Sequence, residues 1–389
     1  MKELLREIIN NSIEKKEVAG VSLLVEREGQ ELCFLAEGMA DIENGKPIQR
    51  DTIYRLYSQS KPVCGVAAMV LVERGVLDLW QPISDYLPAF HGQMVYADGE
   101  KRPASREITV HDLLSMTSGL SYPDDICESG RDVTALFQKL DDRLQGDNPM
   151  STIELANALA GCTLRFDPGS SWAYGTSADV LGAVIEVAAQ MPFAEFMKKE
   201  IFEPLGMNDT GFWVPEEKQS RLAEVYETVT DGDEKRLIHY TGNHLGIQNR
   251  MHREPAFASG GAGLASTLDD YMKLSRMLLN QGELDGVRIL RPETVRHFTN
   301  GQLLDHQQQV YEQTMWPGFG FGNLVRVCNR PGQSVTLART GEYGWGGWLG
   351  THFANFPNEK MTILIGMQKK DAGTWSLTRK LRNAIVSFM

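Results

Sequence analysis

YRLYSQSKPVCGVAAMVLVERGVLDL, residues 54–79, holds a hydroxyl and an amine one turn apart at the point where a helix begins. Ser58 and Lys61 are three residues apart, which puts both side chains on one side of a single helical turn. Pro62 is tolerated only in the first turn of a helix, so the helix start falls near Ser58 and leaves that residue's own N–H free. Val63, Val66, Ala67 and Val70 make one apolar face behind it, and Gly75 stands where such a helix stops. A serine hydroxyl is a poor nucleophile until a base takes its proton, and a partly desolvated lysine can take it or assist. A free N–H at the positive end of a helix can stabilise a developing oxyanion. The spelling S-x-x-K is weak by itself. Ser12-Ile13-Glu14-Lys15 matches it too, in a charged terminal segment with no helix start after it, and reads as a solvated face.

Before this segment, Leu4, Leu5, Ile8, Ile9 and Ile13 recur at helical spacing, and residues 20–29 and 31–38 read as two strands. Arg27, Glu28 and Gly29 suit a hairpin turn between them. Beyond it, the middle of the chain reads as mainly helical with long loops. Residues 334–340, 348–356 and 360–368 are strand-like, and a closing amphipathic helix follows Thr374, a suitable N-cap. Strands at both ends around a helical middle predict an α/β (α+β) fold. Residues 1–57 and 236–389 would build one discontinuous domain, an antiparallel sheet flanked by helices. Residues 58–235 would be an inserted, mainly helical domain, with the active site at the interface.

A length of 389 residues suits one large unit or two domains, and 42% hydrophobic with 23% charged residues is ordinary for a globular chain. The formal charge of −12, without any long block of like charge, argues against a nucleic-acid or anionic-membrane partner. Neither a signal-peptide core nor an 18-residue apolar span stands out, so a cytoplasmic location is expected. Five widely spaced cysteines read as small buried hydrophobes, and the eight histidines form no ligand pair, so no metal site is expected. The GFGFG run at 318–322 lacks dinucleotide-binding spacing, and no G-x-S-x-G elbow occurs.

The context of Ser58 resembles the nucleophile segment of the β-lactamase-related serine hydrolases, a family that includes class C β-lactamases, D-alanyl-D-alanine peptidases and family VIII carboxylesterases. Residues 108–120, 201–212, 257–274 and 284–295 are similar to further segments of that family. The resemblance implies the penicillin-recognising fold and a second motif, Y-x-N, which stands here as Tyr174-Gly175-Thr176. By that resemblance Tyr174 shares a proton with Lys61 and Ser58 and protonates the leaving group. Thr176 departs from the usual asparagine and lacks its two-ended amide, which argues against binding of an amide side chain. The third motif, K-T-G or H-x-G in many members, is similar here to the W-G-G of the esterases: Trp345-Gly346-Gly347. The N–H of Trp348 is the candidate second oxyanion donor, with Gly347 if the register is one off. Asp179 reads as a first-turn helix carboxylate rather than an acid catalyst.

The expected function is therefore a serine hydrolase acting through an acyl-enzyme on a small ester or amide, foremost a carboxylesterase, with no metal or organic cofactor. Trp345 replaces a cation by an apolar wall, which favours neutral esters over anionic β-lactams. The alternatives are a β-lactamase, a D-alanyl-D-alanine carboxypeptidase or D-aminopeptidase using the same residues, and a catalytically silent relative that binds peptide or cell-wall fragments. The natural acyl and leaving groups and the oligomeric state are not legible in the sequence.

Overall fold

The apolar run Gly20–Arg27 (β1) is buried along nearly its whole length because it lies inside a sheet covered on both faces. The computed structural model describes every residue except Asp98, Gln145, Asp233, Gln302 and Thr374. β2 (Gln30–Asp41) returns through a two-residue turn in which Glu28 and Gly29 have φ of 53° and 78°, the hairpin turn that matches strand twist. The other strands of this sheet are β3 (Lys46–Pro47), β4 (Phe319–Gly322), β5 (Val325–Cys328), β6 (Tyr343–Gly346), β7 (His352–Phe356) and β8 (Met361–Gly366). They form one sheet in the order β4-β5-β6-β7-β8-β1-β2-β3, antiparallel throughout. Both ends of the chain thus build the sheet, and β8 beside β1 is the seam that joins them.

The helices that matter to the site are α1 (Lys2–Glu14), α2 (Lys61–Glu73), α3 (Ser177–Ala189), α4 (Leu268–Leu279) and α5 (Ser376–Val386). α1 and α5 pack together on one face of the sheet, where Leu5, Ile9, Leu381 and Ile385 meet Val21, Val25 and Ile363. α4 covers the other face against β7 and β8, and from there a continuous apolar cluster extends through α2 and α3. α2 is buried all round from Lys61 to Leu71, not on one face as its spacing predicts, because it lies in the middle of this cluster.

Several sequence expectations are corrected. Residues 334–340 form no strand. Val335 and Leu337 are exposed at 64% and 49%, and the place beside β5 is taken by the glycine-rich β6. The strand expected over 348–356 begins only at His352, since Gly350 (φ 93°) closes a turn onto the Gly347 carbonyl. β4 was unforeseen because the run at 318–322 is rich in glycine, which has low strand propensity, and β5 because Val325–Cys328 is only four residues long. The middle of the chain also holds the hairpins Met94–Ala97/Glu100–Pro103 and Tyr226–Asp231/Glu234–His239, the second of which crosses the expected boundary at 235/236. The Thr374 N-cap lies outside the described residues; Trp375 holds the N-cap position of α5. Ser12 of the second S-x-x-K match turns inward near the end of α1 while Lys15 points outward, so that site is not wholly solvated. Four cysteines are buried as expected, whereas Cys127 is half-buried and caps a helix by accepting the Gly130 N–H.

Candidate active site

Ser58 sits in a single 3-10 turn, Tyr57–Ser60, that runs directly into α2. Tyr57 has φ of 44°, a conformation that is strained for a bulky residue and persists only where the surroundings impose it. Here they do: the Tyr57 ring is buried edge-on against Trp348 at 5.0 Å and lies 5.9 Å from His244. The kink leaves Ser58 half-buried on the wall of a cavity of about 550 Å³, while its neighbours Tyr57, Gln59 and Ser60 are buried. The Ser58 N–H donates to no acceptor among the described residues.

Lys61 is fully buried. Its Nζ donates to Ser58 Oγ at 3.3 Å, to the Tyr122 hydroxyl at 2.9 Å and to the Gly261 carbonyl at 2.8 Å. Three acceptors for three N–H bonds describe an ammonium. Burial pulls the Lys61 pKa down, but Tyr122, Tyr174 and Asp179 outweigh that and leave it raised. Enclosure of the Tyr122 hydroxyl raises its pKa as well, against the pull of Lys61. The pair therefore holds its protons at neutral pH, and must lose one before it can act as a base.

The Gly261 carbonyl is placed by Asp179, in the first turn of α3 as its position predicts. That carboxylate accepts the Ser259 hydroxyl at 2.5 Å and the Gly261 N–H at 3.0 Å. Burial raises its pKa, opposed by Lys61. The loop passes so close to α3 that a Cβ on Gly260 would lie 2.3 Å from the Ala178 carbonyl oxygen. Asp179→Ala is expected to cost about 2–3 kcal/mol by leaving a buried hydroxyl and N–H unpaired beside an ammonium, read as a lower urea midpoint. Asp179→Asn should lose less.

Tyr174 lies on the loop before α3 with its ring 4.7 Å from Lys61 Nζ. Its hydroxyl accepts the Trp345 indole N–H at 3.0 Å, and the same ring lies 6.4 Å from Trp172 and 5.4 Å from Tyr122. The hydroxyl bonded to the lysine thus belongs to Tyr122, two residues beyond the family-like segment 108–120, and nothing in local spacing points to it. Thr176 is not on the cavity wall: it is fully buried and donates to the Ser121 carbonyl at 3.2 Å, tying the Tyr122 loop to the start of α3. It is a loop tether and not a substrate contact.

Trp345, Gly346, Gly347 and Trp348 all line the cavity. The Gly347 N–H is used by the Thr351 carbonyl at 2.8 Å, whereas that of Trp348 meets no acceptor among the described residues. The Trp348 ring stacks on His244 at 4.0 Å and donates to Asp371 at 2.7 Å. Burial holds the His244 imidazole below its ordinary pKa, so it is neutral near pH 7. Phe137, Met315, Trp316 and Arg326 complete much of the wall, and none of them carries a signal in the sequence. Geometrically the cavity offers a hydroxyl beside an amine, two free N–H groups from separate elements and an aromatic lining. That arrangement suits attack on a carbonyl carbon.

The beta-lactamase family model matches residues 5–384. Protein Rv1367c of Mycobacterium tuberculosis is 35% identical over 343 residues, which cover 85% of this chain and 81% of that protein. Esterase EstB of Burkholderia gladioli is 32% identical over 388 residues, covering 97% and 93%. Among solved structures, EstCE1, described as a hydrolase with promiscuous acyltransferase activity, superposes with a TM-score of 0.81 at 26% identity, covering 99% of this chain and 98% of that one. Among the described residues no single helix is long and apolar enough to cross a membrane.

Proposed function

Because this chain belongs to the beta-lactamase family and is a serine hydrolase of that fold, we propose that it is a carboxylesterase in which Ser58 is acylated by a small ester. The observation that carries the reading is Lys61 Nζ at 3.3 Å from Ser58 Oγ, on the wall of an aromatic-lined cavity. Ser58 attacks the ester carbonyl as its proton passes to the Lys61–Tyr122 pair, and the tetrahedral oxyanion is held by the N–H groups of Ser58 and Trp348. Tyr174, which lines the cavity and whose hydroxyl accepts the Trp345 N–H, protonates the departing alcohol. Water then releases the acid by the reverse proton path. Trp345 where other members carry a cation, and the 32% identity to an esterase over almost the whole chain, support an ester over a β-lactam.

A fluorophosphonate tests the reading and separates the two tyrosines, because fluoride leaves without being protonated. Labelling is expected at Ser58, located by peptide mass spectrometry. Tyr174→Phe should label at nearly the wild-type rate yet lose about 10²-fold or more in turnover of an alkyl ester, whose alkoxide needs a proton. Tyr122→Phe should slow labelling itself. Faster turnover of a cephalosporin than of p-nitrophenyl butyrate would replace the esterase reading by a β-lactamase, and stoichiometric acylation without turnover by a binding relative.

A further inference from the structure

The cavity wall contains a cation that the proposed reaction does not use. Arg326, on β5, is 4% exposed and lines the cavity together with Met315, Trp316 and Trp345. Its guanidinium lies over the rings of Trp316 and Phe319, 5.1 and 5.5 Å from their centroids. None of its N–H groups meets an acceptor among the described residues, and Nε and Nη2 are wholly enclosed. Across the β5–β6 register Arg326 faces Gly344, two residues before Gly346 of the cavity wall.

The surrounding charges do not neutralise it. Glu342 is committed to Arg382, which it meets at 2.6 Å in a pair with no exposure. His352, beside Arg382 at 3.4 Å, is held well below its ordinary pKa by burial and by the two guanidiniums, so it is neutral. Tyr311 and Cys328, the other titratable groups near Arg326, are neutral too, burial having raised both pKa values. Burial brings Arg326 down to about 10, which leaves it charged at neutral pH. The buried group therefore keeps one net positive charge. A buried guanidinium without a counter-ion is unfavourable, and Nη1, the one nitrogen of its fork that is not enclosed, can donate a charge-assisted hydrogen bond to a carboxylate. Asp141, a carboxylate on the exposed rim of the same cavity, disfavours an anion there.

We propose that Arg326 recognises a carboxylate on the substrate, so that the ester taken by this site is an anionic one, a hemiester of a dicarboxylic acid or an ester whose leaving group bears a carboxylate. The inference rests on the esterase reading of Ser58. It also revises the expectation of neutral esters: Trp345 removes a cation at the third motif, and Arg326 supplies one from the next strand.

The test compares matched pairs on the full chain at low salt. p-Nitrophenyl hemiesters from hemisuccinate to hemisuberate are set against neutral p-nitrophenyl esters of equal length, and 4-acetoxybenzoate against phenyl acetate. The first arm places the carboxylate on the acyl chain and the second on the leaving group. In at least one pair kcat/KM is expected to favour the carboxylate by about tenfold, as a charge-assisted hydrogen bond would give. Arg326→Met should abolish that ratio and Arg326→Lys keep part of it, whatever happens to the absolute rates; a purely structural arginine would leave the ratio unmoved. If Arg326→Met cannot be obtained folded, the wild-type ratio and competitive inhibition of neutral-ester turnover by glutarate decide. A neutral preference in every pair, or a ratio unchanged in Arg326→Met, overturns the proposal. No turnover of any ester and no labelling of Ser58 would instead bring down the reading beneath it.

Discussion

Ser58→Ala is expected to lower kcat for p-nitrophenyl butyrate by about 10⁴-fold or more and to abolish fluorophosphonate labelling. The loss is large because, on the proposed reading, the serine supplies the bond-forming atom, and the cavity's other hydroxyls, on Tyr122, Tyr174 and Thr134, are engaged with Lys61, with Trp345 and with the Asp124 and Gly130 carbonyls. It should not be total, since a cavity with two free N–H groups still binds the ester and polarises its carbonyl. Folding is expected to be preserved. Among the described residues Ser58 Oγ makes a single hydrogen bond, at 3.3 Å to Lys61, and Tyr122 and Gly261 remain to satisfy that ammonium. Thermal melting of the variant within a few degrees of wild type, together with the lost turnover, separates a chemical role from a structural one. Turnover undiminished in a clean preparation would exclude Ser58 as nucleophile.

Lys61→Met should cost about 10³-fold or more in kcat, and Ser58→Ala/Lys61→Met no more than Ser58→Ala alone, because groups that act as one unit do not lose activity additively. The pH dependence has a definite sign. Lys61 and Tyr122 both have raised pKa values, and the competent form of the pair holds one proton fewer than the resting one. Wild-type kcat/KM should therefore climb from about pH 6 to about pH 9 as the deprotonated fraction grows, and Lys61→Met should lose that limb. Unlike the serine variant, this one also loses stability: it leaves the Gly261 carbonyl and the Tyr122 hydroxyl without their donor, so a lower urea midpoint is expected as well. Additive losses in the double variant, or an unchanged pH profile, would show that serine and lysine do not work together.

The legible parts of this protein are those written in short-range geometry. Three residues separate Ser58 from Lys61, and one helical turn closes that gap wherever the helix lies in the fold. Pro62 placed the helix start to within a residue or so of the Lys61 at which α2 begins. The hairpin of β1 and β2 was readable because its turn residues and its apolar runs agree. β4 and β6 were not, because glycine-rich strands earn their place by packing close to neighbours: a Cβ on Gly344 would lie 2.0 Å from the Phe353 carbonyl oxygen. Residues 334–340 misled for the converse reason, since they carry the strand pattern but the place beside β5 is taken by β6.

By itself the sequence determined the Ser58–Lys61 pairing, the helix behind it, the sheet built from both ends of the chain and, through resemblance, the family. Tertiary structure alone decided that Tyr122 rather than Tyr174 bonds the lysine, that Thr176 is not on the cavity wall and that, among the described residues, Trp348 rather than Gly347 keeps a free N–H and Arg326 has no acceptor. The physical reason is separation along the chain. Contacts within one turn are set by backbone geometry, but Tyr122 lies 61 residues from Lys61, and Arg326 reaches the cavity only because β5 pairs with β6. Such meetings depend on how the whole core packs, and no local pattern encodes them.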